Sequence, residues 1–378
     1  MGARVGLLLI GGNGANGTLL RTTLTGMRSG AIPEVFGVTS MSPFRQDVLC
    51  GAADMVVSGW DVDENSTSQE LEVDRMATGI LSYFDTKLND ERYWSALKDV
   101  GDAARSIRQQ IEQFKAVNEL DSCIAINLMT PAKRTADGLH NIDISDVQGL
   151  PAKECPSAVA YMIGCMSAGA TFVDFTPSEV LELGGVDQAA VNYGVQVAGR
   201  DGSTGQTWLK LAIASSLMVR NFKIRGWYSS NVLGNRDGLA LANPITAETK
   251  ISDKLAGLNS LEPELASSHG IDITYMPVLK DIKESWDLVE FEDCFGNAGS
   301  LRMNWRAYDS PLAVQVLCDL VRLIAHGHTQ GRKGLRTDLS LFFKNPIGAM
   351  EVSPIRQFDH LLAANPDLVD AGGERRLW

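Results

Sequence analysis

"LLLIGGNGANGTLLRT", residues 7–22, decides the fold. An apolar run fit for a buried strand breaks into glycine and asparagine, then resumes at Thr18 with helical spacing. Gly12, Gly14 and Gly17 spell G-x-G-x-x-G between that strand and that helix. The first glycine allows a tight turn, the second lets backbone approach a pyrophosphate, and the third lets helix and strand pack closely. A phosphate would rest on the N–H groups of the helix N-terminus. Gly12, Asn13, Gly14, Ala15, Asn16 and Gly17 are therefore candidate cofactor contacts. The usual companion is an acidic residue about 20 positions on, for the ribose hydroxyls. The best candidate, Asp61 in "SGWDV", lies further along, so the reading requires an insertion between the first two strands. No arginine there points to a 2′-phosphate site, which favours NAD over NADP.

Working outward, residues 4–10 and 56–62 read as strands, and 18–28 and 103–120 as helices. Residues 122–128 read as a strand, and the apolar helix 157–170 leads into strand 171–175. A polar run, 63–95, reads as surface. Strands alternating with helices predict a doubly wound parallel sheet. Past residue 199 the character changes. Helix 209–220 leads into "KIRGWYSSNVLG", a polar segment at 243–272, and three alternating stretches, "DITYMPVL", "DLVEFEDCF" and "SLRMNWRAY". These predict a second, mixed or antiparallel sheet. Helix 312–328 follows, and the charged C-terminus reads as mobile. The fold class is α/β: an NAD-binding Rossmann domain plus a second α+β domain with a mixed sheet. Residues 1–205, completed by 306–378, form the first, and 206–305 the catalytic and oligomerisation domain.

Composition narrows the partners. The 378 residues are 44% hydrophobic and 21% charged, with a net charge of −12, which argues against nucleic acid or an anionic membrane. Six cysteines without a C-x-x-C pair or metal-ligand spacing read as buried or half-buried thiols in a reducing cytoplasm. No secretory leader and no apolar run of the roughly 20 residues a membrane helix needs is present, so a cytoplasmic location is expected.

Two later stretches carry chemistry. "AGRDGSTGQT" (198–207) is a loop of small and hydroxyl residues running into a helix, a phosphate cradle or a plain N-cap. "SSNVLGNRDG" (229–238) is a polar loop. With "GGNGANGT" and "GWDV", in this order, they resemble the myo-inositol-1-phosphate synthase family, whose corresponding motifs read "AGDD…SGQT", "SYNHLGNNDG" and "GWD". "TKISDK", "VLKDIKESWD", "YDSPL" and "FFKNP" resemble the family's "SKEISK", "VGDSKVAMDE", "EDSLL" and "WLKAP".

The resemblance implies a redox-neutral reaction. A secondary alcohol of an open-chain sugar phosphate is oxidised with NAD, the resulting ketone acidifies a neighbouring C–H, the enolate closes a carbocycle on the sugar's own carbonyl, and the hydride is returned. Cations beside oxyanions, a phosphate anchor and orienting carboxylates are what such chemistry needs. The matches imply catalytic roles for Lys250, Lys254, Lys283 and Lys344, oriented by Asp201, Asp237, Asp281 and Asp309. Lys250 and Lys254 sit four apart, on one face of a helix; pattern alone makes them a solvated face. Ser203, Thr204, Gly205, Gln206 and Thr207 match the phosphate loop, and Asn231 and Asn235 the amides of the polar loop. Thr130, Phe175, Thr176, Asn235 and Asp237 join Asp61 as implied dinucleotide contacts. A homotetramer assembled through the second domain's sheets is implied; no ligand spacing chooses between a monovalent and a divalent cation.

The chain departs from the motifs at Arg200, Ser203, Trp208, Ser230, Val232 and Arg236. Read as changes around the pocket, these narrowly favour fructose 6-phosphate, closing to a five-membered cyclitol phosphate as in a diverged branch of the family, that of the aristeromycin carbocyclic-nucleoside pathway. Glucose 6-phosphate giving an inositol phosphate is the alternative. From other classes come an NAD-dependent sugar dehydrogenase and a non-catalytic NAD-binding protein; the last predicts that Lys250, Lys283 and Lys344 do not converge.

Overall fold

A computed structural model describes residues 3–61, 98–129, 139–235, 238 and 269–370. The polar run at 63–95 and nearly all of 243–272 lie outside these residues. Strand β1 (Val5–Ile10) is buried at every position, as expected for a strand covered on both faces. Its alternate side chains feed two apolar layers. Leu8 and Ile10 pack with Ile107, Tyr161 and Phe172, while Leu7 and Leu9 pack with Leu20, Leu24, Ile124 and Leu317.

Around β1 lie β2 (Met55–Trp60), β3 (Ser122–Asn127), β4 (Thr171–Asp174), β5 (Gln196–Gly199) and β10 (Gly334–Leu335). The order is β10-β5-β4-β3-β1-β2, with every pair parallel. After β1 the chain goes to β2 on one side, then crosses to β3 on the other. That reversal opens a crevice at the carboxyl ends of the strands. Register aligns Trp60, Ile10, Asn127, Asp174 and Gly199 in one row across the sheet. Helices α1 (Ala15–Ser29), α2 (Val100–Asn118), α3 (Ser157–Ser167) and α4 (Val186–Tyr193) connect the strands.

Helix α5 (Thr207–Val219) leads to the second sheet, β6 (Lys223–Leu233), β7 (His269–Tyr275), β8 (Ile282–Glu292) and β9 (Ala298–Tyr308), in the order β7-β6-β8-β9. It is mixed: β6 runs parallel to β7 and antiparallel to β8, which runs antiparallel to β9. Leu211 and Ala214 of α5 pack on Ile224, Trp227 and Val289. Helix α6 (Asp309–Thr329) returns the chain to the first sheet, burying Leu317, Leu320, Val321 and Ile324 completely.

Several expectations shift. Strand β8 begins at Ile282, five residues before the apolar alternation shows it. Residues Pro277–Leu279 leave the strand as a 3-10 turn, since Pro277 has no N–H for a ladder. The stretch read as a polar loop is strand as far as Leu233. Of the glycines in the first turn, Gly11 (φ 88°), not Gly12, adopts the left-handed backbone. Cys294 is exposed, unlike the buried or half-buried other cysteines. Nor is the C-terminal region mobile up to residue 370: Pro354–Ala364 forms helix α7, with Leu361 fully buried. Leu361→Ala should therefore destabilise the protein by about 2–5 kcal/mol in urea unfolding; an unchanged midpoint would remove α7 from the core.

Candidate active site

The glycine turn is held by β2, because Gly11 and Gly12 both donate N–H bonds to the Trp60 carbonyl (2.8 and 3.2 Å). At Gly17 a Cβ would lie 2.4 Å from the Gly12 carbonyl oxygen, so only glycine fits. Gly14 differs. It is exposed, has φ −65°, and a Cβ there would meet only the Gly11 oxygen, at 3.5 Å. Nothing in the fold demands a bare backbone at Gly14, so the missing side chain serves something outside the chain. Helix α1 starts here without a side-chain cap, leaving N–H groups for an anion. Asp61 follows β2 directly, and its carboxylate accepts the Asn13 N–H at 2.5 Å. Residues 30–54, with two 3-10 turns, are the insertion that separates the two. Arg21 donates to the Asn13 side-chain oxygen at 3.3 Å. These residues fit a dinucleotide: a bare turn and helix start for the pyrophosphate, a carboxylate for the ribose.

Further along the row of strand ends, Thr176 follows β4 and is bonded to Asp174 through its N–H (3.1 Å) and its hydroxyl (2.8 Å). The Phe175 ring is committed to the core against Gly202, where a Cβ would lie 2.2 Å from the ring. Thr130, Lys250, Lys254, Arg236 and Asp237 lie outside the described residues.

The segment at 342–347 docks antiparallel on the stretch after β5. Ser203 N–H donates to Phe342 (2.8 Å), Lys344 N–H to Asp201 (2.7 Å) and Ile347 N–H to Gly199 (2.8 Å). This seats the Lys344 ammonium 2.7 Å from the Asp201 carboxylate. On the other side, pairing of Ile282 with Tyr308 brings the start of β8 beside the start of α6. Lys283 then reaches Asp309 at 3.4 Å, and Asn235 donates to the other Asp309 oxygen at 3.4 Å. Asp281 accepts from the Ser310 hydroxyl (2.7 Å) and N–H (3.2 Å); burial raises its carboxyl above the usual range.

Between these two groups lies a pocket lined by Gly205, Gln206, Thr207, Lys210, Asn231, Lys283 and Lys344. Its floor is the N-terminus of α5, which has no side-chain cap. Gln206 is 4% exposed, and its Nε2 has no hydrogen-bond partner. An unpaired buried donor at an uncapped helix start, with three ammonium groups around it, is an arrangement that suits an anion such as phosphate. Ser203 and Thr204, expected in the same loop, are outside the lining. A Cβ on Gly205 would come within 3.3 Å of the Lys283 ammonium, so glycine clears the way for that side chain.

Lys210 is the residue that the sequence reading missed. Its ammonium is buried, 3.0 Å from Asp287, and bonded to Ser229; Trp227 also donates to Asp287, at 2.9 Å. Burial, offset in part by Asp287, lowers its pKa. The available signal was a lysine within the apolar run "LKLAIASSLM", one turn past the phosphate loop.

The five described departures, Arg200, Ser203, Trp208, Ser230 and Val232, are not in the lining of the pocket. Arg200 binds Glu182 (2.6 Å) and the Pro177 carbonyl (3.3 Å). Ser230 and Val232 alternate with Asn231 on β6 and so face the opposite side of the sheet. Trp208 is 40% exposed, edge-on to Trp305. Among the described residues no cluster of His, Cys, Asp and Glu could hold a metal ion, and no helix is long and apolar enough to cross a membrane.

Known proteins match this arrangement. The family model described as myo-inositol-1-phosphate synthase matches residues 205–310, which hold the end of the 198–207 loop, Lys283 and Asp309. Inositol-3-phosphate synthase 1 of Bacteroides thetaiotaomicron is 25% identical, over 93% of this chain and 91% of its own. Along nearly its whole length the chain is similar to members of the myo-inositol-1-phosphate synthase family. Two solved structures share its fold. The inositol-3-phosphate synthase of Caenorhabditis elegans superposes with a TM-score of 0.79 at 19% identity, covering 97% of this chain and 86% of that one. A myo-inositol-1-phosphate synthase-related protein of Thermotoga maritima gives 0.77 at 22%, covering 96% and 98%.

Removing Lys210 alone would leave Asp287, 0% exposed, without its cation. Lys210→Met should cost about 3–5 kcal/mol of stability in urea unfolding, with part regained on adding Asp287→Leu. Equal losses in the single and double variants would show that the pair carries no such charge.

Proposed function

We propose that this chain closes a carbocycle on a hexose 6-phosphate in an NAD-dependent, redox-neutral reaction. The observation that carries it is the meeting of Lys283 and Lys344 in one pocket with the uncapped start of α5 and the unpaired Gln206 amide. The Gly12–Gly17 turn and the Asp61 carboxylate fit the dinucleotide, with the Asp61 carboxylate favouring NAD over its 2′-phosphorylated form. Bound NAD would supply the reversible acceptance of a hydride that makes the ring closure redox-neutral.

The chain's own residues supply the rest. Gln206, Thr207 and the α5 N-terminus hold the phosphate. Lys344, kept in place by Asp201, polarises the carbonyl under attack; Lys283, kept in place by Asp309, stabilises the enolate. Lys250 and Lys254 enter this reading by resemblance alone, Lys250 at the hydroxyl that is oxidised. A dehydrogenase has no use for so many ammonium groups, and a non-catalytic protein none for lysines that share a pocket.

Glucose 6-phosphate is the substrate we favour, with an inositol phosphate as product. The reason for preferring fructose 6-phosphate was a remodelled pocket, yet the five described departures lie outside its lining. Self-association belongs to the same reading. Tyr228, Trp286 and Tyr308, 42%, 38% and 60% exposed, share the outer face of the second sheet, which a second copy can cover.

The test is incubation with NAD and either hexose phosphate, followed by phosphorus and carbon NMR. Inositol phosphate from glucose 6-phosphate, without net NADH, is expected. A five-membered cyclitol phosphate from fructose 6-phosphate would reverse the substrate assignment, and accumulating NADH would establish a dehydrogenase instead. Lys344→Met should lower kcat by at least about 100-fold while leaving NAD affinity unchanged, as checked by calorimetric titration.

A further inference from the structure

We propose that Asp174 is a positioning residue for the dinucleotide, its carboxylate fixing Thr176 after β4 and the start of the loop after β3. This rests on the NAD reading above. Asp174 is the last residue of β4, in the middle of the row of strand ends, and is 0% exposed. One of its oxygens accepts from the Asn127 amide (3.1 Å), the Thr176 N–H (3.1 Å) and the Thr176 hydroxyl (2.8 Å). The other accepts from the Ser178 hydroxyl.

No cation is among these partners. Arg200, which follows β5 alongside, is held by Glu182 and the Pro177 carbonyl, and Lys344 is held by Asp201. The other residues packed on the carboxylate from β3 and β5, Asn127 and Gly199, carry no charge. A buried carboxylate with donors but no counter-ion is costly; an asparagine would bury no charge, but with one acceptor oxygen it could not accept all four bonds. The carboxylate therefore answers to something other than the stability of the fold.

Its bonds reach both sides of the crevice. Asn127, besides donating to Asp174, accepts the Met129 N–H at 3.2 Å, and Leu128 donates to Ile10 at 2.8 Å, beside the glycine turn. Thr176 accepts the Asp201 N–H at 2.9 Å, next to Lys344. Ionised, the carboxylate accepts all four bonds. Protonated, the carboxyl turns the Ser178 hydroxyl from donor to acceptor, and its other oxygen, no longer charged, accepts its three bonds more weakly, so Thr176 loosens. Burial holds this carboxyl at about 6 against an ordinary 3.8, so the change falls within reach of experiment.

The experiment is calorimetric titration of the full chain with NAD from about pH 5 to about pH 8, for the wild type, Asp174→Asn and Ser178→Ala. Wild-type affinity should weaken about tenfold as the pH falls through the ionisation of Asp174. Asp174→Asn should bind with the weak affinity of the acid form at every pH. Its folded pKa being raised, the ionised carboxyl costs stability that grows as pH rises from about 4 to beyond 6. The asparagine variant should thus melt no lower than the wild type at neutral pH. Ser178→Ala keeps the charge and removes one donor, so it should move the affinity transition to higher pH. A wild-type pH profile retained by Asp174→Asn, or an unmoved transition in Ser178→Ala, would overturn the proposal alone. No NAD binding by the wild type at any pH would overturn the cofactor reading and this inference with it.

Discussion

Everything in the site hangs on the parallel register of the first sheet. Parallel strands all point the same way, and here the ends of β2, β1, β3, β4 and β5 fall on one line at Trp60, Ile10, Asn127, Asp174 and Gly199. Whatever follows each strand emerges at the same edge: the glycine turn, Asp61, Thr176 and Asp201. The alignment tolerates little slack. A Cβ on Gly59 would sit 2.0 Å from the Leu9 oxygen, so β1 and β2 approach as closely as they do only because that position is bare. Lys344 reaches this edge from far along the chain because its segment pairs with the continuation of β5.

The second constraint is electrostatic. Three ammonium groups around one pocket repel one another, and the fold offsets each with a carboxylate from a different element: Lys210 with Asp287, Lys283 with Asp309, Lys344 with Asp201. The pairs also tie α5 to β8, β8 to α6 and the late segment to the first sheet. Paired in this way, the three lysines stand around one pocket with each positive group beside a carboxylate. This is how a chain with a net charge of −12 can concentrate cations in one place.

Much of this was legible in the sequence, and the boundary has physical causes. The six apolar residues of β1 and the spacing of Gly12, Gly14 and Gly17 are local signals, and the strand–turn–helix they predict is present. The distance to Asp61 broke the usual spacing, yet its carboxylate reaches the turn because strand pairing, not residue count, sets that distance. Lys210 was not legible because its meaning depends on Asp287, which pairing of β6 with β8 places beside Ser229. Helix α7 looked like a charged tail; its apolar face shows its purpose only against the core it covers. Two-residue β10 is too short to carry any periodicity.

Parity along β6 is where motif reading and geometry part. A strand sends neighbouring side chains to opposite faces, so within "SSNVL" Ser229, Asn231 and Leu233 face α5 and the pocket, while Ser230 and Val232 face away. Counting changes along the motif gives all five residues equal weight in substrate choice. Counting by face leaves Asn231, which matches the family, as the one that lines the pocket, with Ser229 behind it on Lys210. Ser230 and Val232 therefore lie on the outer face, beside Tyr228 and Trp286. A difference in sugar recognition has to come from side chains that reach the pocket, and on β6 that is Asn231, not Ser230 or Val232.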